Sequence, residues 1–138
     1  MVSILLSTVM DELGAALATI EGLRVKSYTE QRINPPMATV NLPRVITYDS
    51  TYGRGSDDIE IPIVVHAGRF DAESSRNAIS QYVDGRGGTS VKEAIEGHVP
   101  AAGSYDIAHV MDAQFLISAV AGVDYLTATF RVRLVGKG

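Results

Sequence analysis

The last third of the chain carries two segments in which apolar and polar side chains alternate, joined by a turn at Ala121 and Gly122. A period of two residues is that of a β-strand with one buried face and one face in water. Because the two alternations are complementary, we predict a long hairpin over residues 105–135. The side chains expected on its apolar face are Tyr105, Ile107, Met111, Ala113, Phe115 and Ile117 in the first strand, and Leu126, Ala128, Phe130, Val132 and Leu134 in the second.

The start of the chain has a different period, in which apolar side chains recur at steps of three and four. This spacing predicts an amphipathic helix over residues 4–21. A second helix is predicted over residues 71–83. Ser90, with Glu93 three residues later, has the pattern of a capping box and predicts a short third helix.

Extended segments are predicted between the first two helices, over residues 23–28, 37–42, 44–48 and 59–65. The last of these contains Pro62, which has no amide hydrogen to donate and therefore predicts an edge or bulged position in the sheet. The order of elements lacks a strict βαβ rhythm. It predicts an α+β fold, with an antiparallel or mixed sheet, helices packed on one face and the long C-terminal β-hairpin.

Residues 49–58 have no apolar period and contain several glycines, serines and aspartates. We predict an exposed loop of about ten residues here, a length that in compact domains often has a function. With 138 residues in total, the chain has room for a single domain, residues 1–138.

The composition excludes several functional classes. Without cysteine there is no disulfide framework, thiol nucleophile, cysteine-ligated zinc or iron–sulfur cluster. The formal charge of −4 has the wrong sign for a protein that binds nucleic acid mainly through phosphates. We find neither the pattern of a signal peptide nor an apolar run of ~18 residues, and expect synthesis in the cytoplasm and no membrane segment.

The glycine-rich segment 85–90 precedes a predicted helix, as phosphate-binding loops do. It lacks the Lys-Ser/Thr pair of a Walker motif and follows a helix instead of a strand. We therefore interpret it as a connector between two helices. The chain also contains no nucleophile-elbow motif.

Three histidines, His66, His98 and His109, show no metal-binding spacing. His66 and His109 fall on predicted strands, and Asp57 or Asp58 would be a third ligand if the fold brought them together. The same two aspartates, with a nearby glutamate, are also ligands of the kind that Mg²⁺ or Ca²⁺ prefers. Solvated side chains are the simpler interpretation, and we predict no catalytic residue, metal or cofactor.

Arg131 and Arg133 stand at alternate positions of the predicted hairpin and therefore project from one face. Three interpretations remain open at this point. The two arginines bind phosphates, form ion pairs with a neighbouring subunit, or belong to a solvated sheet surface.

Five short segments follow the first helix in a characteristic order: NPPMATVNLP at 34–43, ITYDSTYGRG at 46–55, YVDG at 82–85, TSVK at 89–92 and YLTA at 125–128. As a set they resemble the small tail terminator and head–tail joining proteins of long-tailed (siphovirus-type) bacteriophages, in particular those that infect actinobacteria. The resemblance covers nearly the whole chain.

The resemblance implies a structural virion protein without catalytic activity. Its subunits would form a homo-oligomeric ring, usually a hexamer, at the head-proximal end of the tail. The ring would cap the major tail tube protein, end its polymerisation and present a surface to the head-closure or neck protein. DNA would pass through the lumen without specific binding.

A ring subunit needs exposed segments that reach its neighbours, and both the 49–58 loop and the hairpin are such segments. We therefore expect the interface with other subunits and partners to include Tyr48, Asp49, Tyr52, Arg54, Asp57, Asp58, Arg131 and Arg133.

Two other interpretations remain open. A head-closure (stopper) protein or another neck component has a similar size and composition. A small metal- or ligand-binding α+β enzyme would use His66 and His109 with Asp57 or Asp58, and a ligand that raises its melting temperature would favour that interpretation.

Overall fold

The structure is a computed structural model, which describes residues 6–20, 23–26, 36–42, 45–47, 56–69, 73–85, 90–98, 107–120 and 122–137. Three helices and six strands lie within these residues. In chain order they are α1 (Leu6–Leu17), β1 (Arg24–Lys26), β2 (Met37–Val40), β3 (Val45–Thr47), β4 (Ser56–Arg69), α2 (Glu73–Tyr82), α3 (Val91–Glu96), β5 (Ile107–Val120) and β6 (Val123–Lys137).

The described strands form one mixed sheet in the order β1-β2-β4-β6-β5, and β3 also pairs with β4. Strands β1 and β2 are parallel, and the other pairs are antiparallel. Strands β5 and β6 form a hairpin of 14 and 15 residues, closed at a turn in which Gly122 has a φ of +80°. The predicted α+β class, mixed sheet and long hairpin are confirmed.

The core lies on one face of the sheet, here called the core face. Alternate residues of β4 point into it, and Ile59, Ile61, Ile63 and Val65 are between 0% and 2% exposed. Side chains from all three helices belong to the same buried cluster. The helices therefore cover this face, and the opposite face is called the outer face.

The predicted first helix is confirmed over Leu6–Leu17 and ends earlier than expected. Thr19 donates its hydroxyl hydrogen to the carbonyl of Ala16 at 2.7 Å, at a point where the backbone has left the helix. The predicted cap of α3 is also present, since the amide of Glu93 donates to the Ser90 hydroxyl oxygen at 3.2 Å. Both contacts satisfy backbone groups that a helix end leaves unpaired.

Helix α2 lies close against β4 because of a glycine. Gly68 has a φ of +155°, and a Cβ atom at this position would collide with the hydroxyl of Ser75, a buried residue of α2. Only glycine combines this backbone conformation with so close an approach.

The prediction of an edge position for the strand around Pro62 is wrong, because β4 is an interior strand that pairs with β6 on one side and with β2 and β3 on the other. The carbonyl of Pro62 accepts a hydrogen bond from the amide of Asn41, which directly follows β2. The nitrogen of a strand residue lies on the same side as its carbonyl. The missing amide hydrogen therefore falls just past the end of β2, outside the residues of β4 that pair with β2 and β3.

The predicted 49–58 loop is wrong at its end. Ser56, Asp57 and Asp58 belong to β4, where they pair with residues 135–137 of β6. The rest of that segment lies outside the described residues. Strand β4 extends into these polar residues because β6 continues alongside them and pairs with their backbone.

A bulge between Val110 and Asp112 changes which residues of β5 lie on the core face. Before the bulge these are Ala108 and Val110, which pair with core residues of β6. The side chain of Ile107 lies outside the described part of the chain. After the bulge they are Ala113, Phe115 and Ile117, as the alternation predicts. Tyr105 lies outside the described residues.

Burial of Phe115 and Ile117 was also expected, and this expectation is wrong. The two side chains are 56% and 55% exposed, and Met111, at the bulge, is 36% exposed. Helix α2 packs on β4 and β6, and α3 packs on β5, where Glu96 binds the amide of Val110. The second half of β5 therefore has apolar side chains on the core face, but no described helix buries them.

Among the described helices, none combines the length and the apolar character that crossing a bilayer requires.

Candidate interface on the sheet and hairpin

Two arginines of β6 form ion pairs with carboxylates on the two neighbouring strands. Arg133 stands beside Glu60 in register, but its guanidinium contacts Asp58 of β4, with Nε and Nη2 at 2.7 and 2.5 Å from Oδ2. Arg131 donates through Nε to both carboxylate oxygens of Asp112 of β5, at 2.8 and 2.9 Å, and its Nη2 also contacts Oδ2. We call these five residues, with Glu60 as the fifth, the charge ladder.

Glu60 completes the ladder from the β4 side, with its Oε1 3.6 Å from Nη1 of Arg131. Arg131 therefore links the strands on both sides of β6. The charge ladder runs across the outer face and remains at the surface, since the side chain of Arg133 is 52% exposed.

The electrostatics of the charge ladder favour the ionised forms of Asp112, Arg131 and Arg133. The hydrogen bond from Arg131 holds the pKa of Asp112 below its usual value. The hydrogen bonds and charges of Asp112 and Asp58 raise the pKa of Arg131 and Arg133, respectively. Three carboxylates against two guanidinium groups leave the ladder with a net negative charge, so this surface does not attract phosphates.

The structure places three of the eight predicted interface side chains, Asp58, Arg131 and Arg133, and brings all three into the charge ladder. Asp57 lies in β4 opposite Gly136, and its side chain is outside the described part. The other predicted interface residues, all outside the described residues, are Tyr48, Asp49, Tyr52 and Arg54.

The hypothetical joint site of His66 and His109 is not formed. His66 pairs with Thr127 and His109 with Arg133, so they stand six positions apart along β6, or ~20 Å. His109 Nδ1 instead lies 3.1 Å from a carboxylate oxygen of Glu96. In the part of the chain that the structure describes, no three potential metal ligands come together.

His98 is also paired with a carboxylate. Its Nε2 lies 2.9 Å from Oε2 of Glu12, so this contact joins the end of α3 to α1. It is a contact between two helices of the core face, and the sequence separation of 86 residues left no local signal for it.

A buried polar cluster on the outer face was missed from the sequence. Thr39, His66 and Thr127 are only 4%, 6% and 2% exposed. The Nδ1 atom of His66 has no hydrogen-bond partner among the described residues, and its ring meets Tyr125 edge-on with centroids 6.1 Å apart. Burial lowers the pKa of His66. The alternation of apolar and polar residues put His66 and Thr127 on the polar faces of their strands, because alternation predicts a face and not the burial of that face.

The other surface missed from the sequence is the uncovered end of the hairpin. Phe115, Leu116 and Ile117 are each more than half exposed, and Leu116 lies on the opposite face from the other two. We call these three residues the apolar end. Large exposed apolar groups in succession are uncommon on monomeric proteins and mark contact surfaces.

In the first half of β5, a side chain of helix α3 binds the edge of the strand. A carboxylate oxygen of Glu96 accepts the amide hydrogen of Val110 at 3.0 Å, and Lys92 donates to the other oxygen at 2.6 Å. Burial alone would raise the pKa of Glu96, but these hydrogen bonds and the charges of Lys92 and His109 together bring it below its usual value. The carboxylate therefore stays ionised and closes this part of the sheet edge.

Comparison with known proteins adds no relative: neither the known protein families nor the curated proteins contain a match to this sequence. The site is therefore defined by its own geometry. It offers a negatively charged, internally paired surface on the outer face and an apolar strand at the edge of the sheet.

Proposed function

We propose that this protein is a ring-forming structural subunit of the tail-terminator type, which caps a bacteriophage tail tube and joins it to the head. The observation that carries the proposal is the apolar end of a long hairpin on a small α+β domain. Exposed apolar side chains on a strand do not stabilise a monomer, whereas in an assembling subunit they are buried by contact with another chain. The α+β class is the one that the sequence resemblance implies, and the long hairpin is an exposed segment of the kind that a ring subunit needs.

The charge ladder supports an assembly role for a second reason. Its arginines already have partners within the subunit, which leaves a rigid and negatively charged patch. Such a patch repels DNA phosphates. Six subunits with a charge of −4 each would carry −24 in total, so a lumen lined by this face would let DNA slide without adhering.

The cytoplasm of the host would be the site of synthesis, and the head-proximal end of the tail would be the final location. In this role the partners are other copies of the chain, the major tail tube protein and the head-closure or neck protein. The subunit would need no cofactor and would perform no catalysis.

The test is assembly of the purified protein with a tail tube protein that polymerises alone. We expect a closed ring with a central hole in negative-stain images, and tubes that stop growing when the ring is added. A ring that leaves tube length unchanged and binds the head-side neck protein would instead indicate a head-closure function. If the chain neither changes tube growth nor binds the neck protein, the proposal is contradicted.

A matched pair of variants connects the test to the structure. Asp58→Asn removes one carboxylate of the charge ladder and leaves Arg133 without its partner, so DNA passage should be slowed in assembled particles. Glu73→Gln removes the same charge from an exposed position of α2, and we expect unchanged passage. Equal ejection rates for both variants would show that the ladder does not line the lumen.

A further inference from the structure

The two sides of the sheet differ in their protection. On one side, the described edge is formed by two strands of three residues each, β1 and β3, and β1 exposes two cations, Arg24 and Lys26. Short strands with cationic side chains protect an edge against pairing with another chain. On the other side, β5 is 14 residues long. Its second half, Ala113–Val120, contains no ionisable side chain and no proline.

The open part of the β5 edge begins at the bulge. Upstream of it, the outward amide of Val110 is already bound by Glu96 of α3. Downstream of it, no described strand lies beyond β5. The apolar end is in the middle of this open part, so main-chain groups and large apolar side chains are available at the same place.

A side-chain contact shows which backbone groups point outward. The hydroxyl of Thr127 in β6 donates to the carbonyl of Leu116 at 2.8 Å, so that carbonyl faces β6. The amide and carbonyl of one strand residue point to the same side, and those of its neighbours point to the other. Phe115 and Ile117 therefore direct their backbone amide and carbonyl groups to the free edge.

We propose that the open edge of β5 binds the same edge of a second copy of this chain, antiparallel and about a two-fold axis at Leu116. In this register Phe115 of one copy hydrogen-bonds with Ile117 of the other, and the two Leu116 side chains meet on the outer face. The segment is neutral, so an identical strand meets no like charge. Because cations protect the β1 edge, β5 of one copy pairs with β5 of the other copy and not with its β1.

The inference uses the same apolar end that supports the proposed function, but it does not require a ring. A two-fold contact joins two subunits, whereas a ring requires two different surfaces on each subunit. If the subunits form a ring, this contact therefore pairs two rings through their hairpins. If they do not, it gives a dimer.

The register is tested by disulfide cross-linking, for which a chain without cysteine is well suited. In Leu116→Cys the two thiols would face each other at a non-hydrogen-bonded pair, where Cα atoms are ~4.5 Å apart. In Ala119→Cys, also exposed and on the same strand, the two copies of the residue would be six positions apart, or ~20 Å.

Under mild oxidation we expect about tenfold more disulfide-linked pairs from the first variant than from the second on non-reducing gels. Equal amounts from both variants would indicate random collision, and no cross-link from Leu116→Cys would exclude the register. Either outcome would overturn the proposal.

The assembly itself is tested by light scattering. We expect the wild-type mass to be an even multiple of the 14.7 kDa chain, and Leu116→Lys to halve it. Gln81→Lys, which adds the same charge at an exposed position of α2, should leave the mass unchanged. A monomeric wild type, or a mass that Leu116→Lys does not change, would contradict the proposal. If Leu116→Lys fails to fold, the cross-linking comparison decides.

Discussion

The two halves of β5 are similarly apolar and differ in what covers them. In the first half, Val110 is 5% exposed and its amide is bound by Glu96. In the second half, Phe115 lies on the same face and is 56% exposed. An apolar face is therefore a property of the strand, whereas its burial depends on the element that packs on it.

The same contrast is visible across the sheet in a single row. Val65, Ala128 and Phe115 are neighbours on three adjacent strands, and their exposed fractions are 0%, 0% and 56%. Helix α2 packs over the first two strands and stops short of the third. Phe115 and Ile117 of the apolar end therefore continue the core face beyond the helices that cover it.

The largest contrast is expected between two phenylalanines of the hairpin. Phe130 is 2% exposed, and Phe130→Ala should lower the free energy of unfolding by about 3–5 kcal/mol. Phe115→Ala removes the same atoms from an uncovered position, and we expect a change within ~0.5 kcal/mol for the monomer. Urea unfolding at high dilution measures both. Similar losses would show that the second half of β5 is covered after all.

The next effect concerns the helix that covers the first half of β5. Ser90→Ala removes the acceptor for the Glu93 amide and should cost about 1 kcal/mol. Ser80→Ala is the control, because its exposed hydroxyl only donates to the carbonyl of Arg76 within α2. Thermal unfolding should separate the two variants by several degrees. A control as destabilised as Ser90→Ala would mean that the cap is not what stabilises α3.

A smaller effect is expected from the carboxylate that closes the sheet edge. Glu96→Ala leaves the Val110 amide without its acceptor and should cost roughly 1 kcal/mol. Hydrogen exchange at Val110 should accelerate towards the rates of Phe115 and Ile117. Unchanged protection at Val110 would show that another group closes this edge.

Glu96 also predicts a pH dependence. Because its pKa is below the usual value when the protein is folded, the stability it provides is complete above about pH 4.5. That stability is lost as the pH falls through the folded-state pKa. Glu96→Gln should show a weaker loss of stability at acid pH than wild type in urea titrations at successive pH values.

The smallest effect concerns the row in which His66, Thr127 and Leu116 are neighbours and only the last is exposed. Burial lowers the pKa of His66 below 6.5, so the unfolded chain binds a proton more readily than the folded one. Stability should therefore decrease as the pH falls from about 7.5 to about 5.5.

His66→Phe, which keeps an aromatic ring beside Tyr125, should lose less stability than wild type over this interval. A wild-type dependence in His66→Phe would assign the titration to another residue.

Much of the local structure followed from spacing. The three-and-four period predicted α1, the Ser90 and Glu93 pair predicted the start of α3, and the alternation in the last third predicted β5 and β6. These signals are local, because capping and amphipathic periods depend on residues within one or two turns or on one strand.

The candidate site was predictable only in part. Arg131 and Arg133 were expected on one face, and they do share a surface. Asp58 was expected in an exposed loop and not beside the two arginines. Their partners were not predictable, since Arg133 reaches diagonally past Glu60 to Asp58. Register and strand order decide such pairs, and a single sequence carries neither.

The α+β class, the long hairpin and the exclusion of cysteine chemistry follow from the residues alone. Strand order and packing were needed to show that Pro62 lies in an interior strand, that the bulge after Val110 changes the face of β5, and that Phe115 is exposed. Periodicity records which side of an element is apolar. Which elements pack there, and where they stop, depends on contacts between residues far apart in the chain.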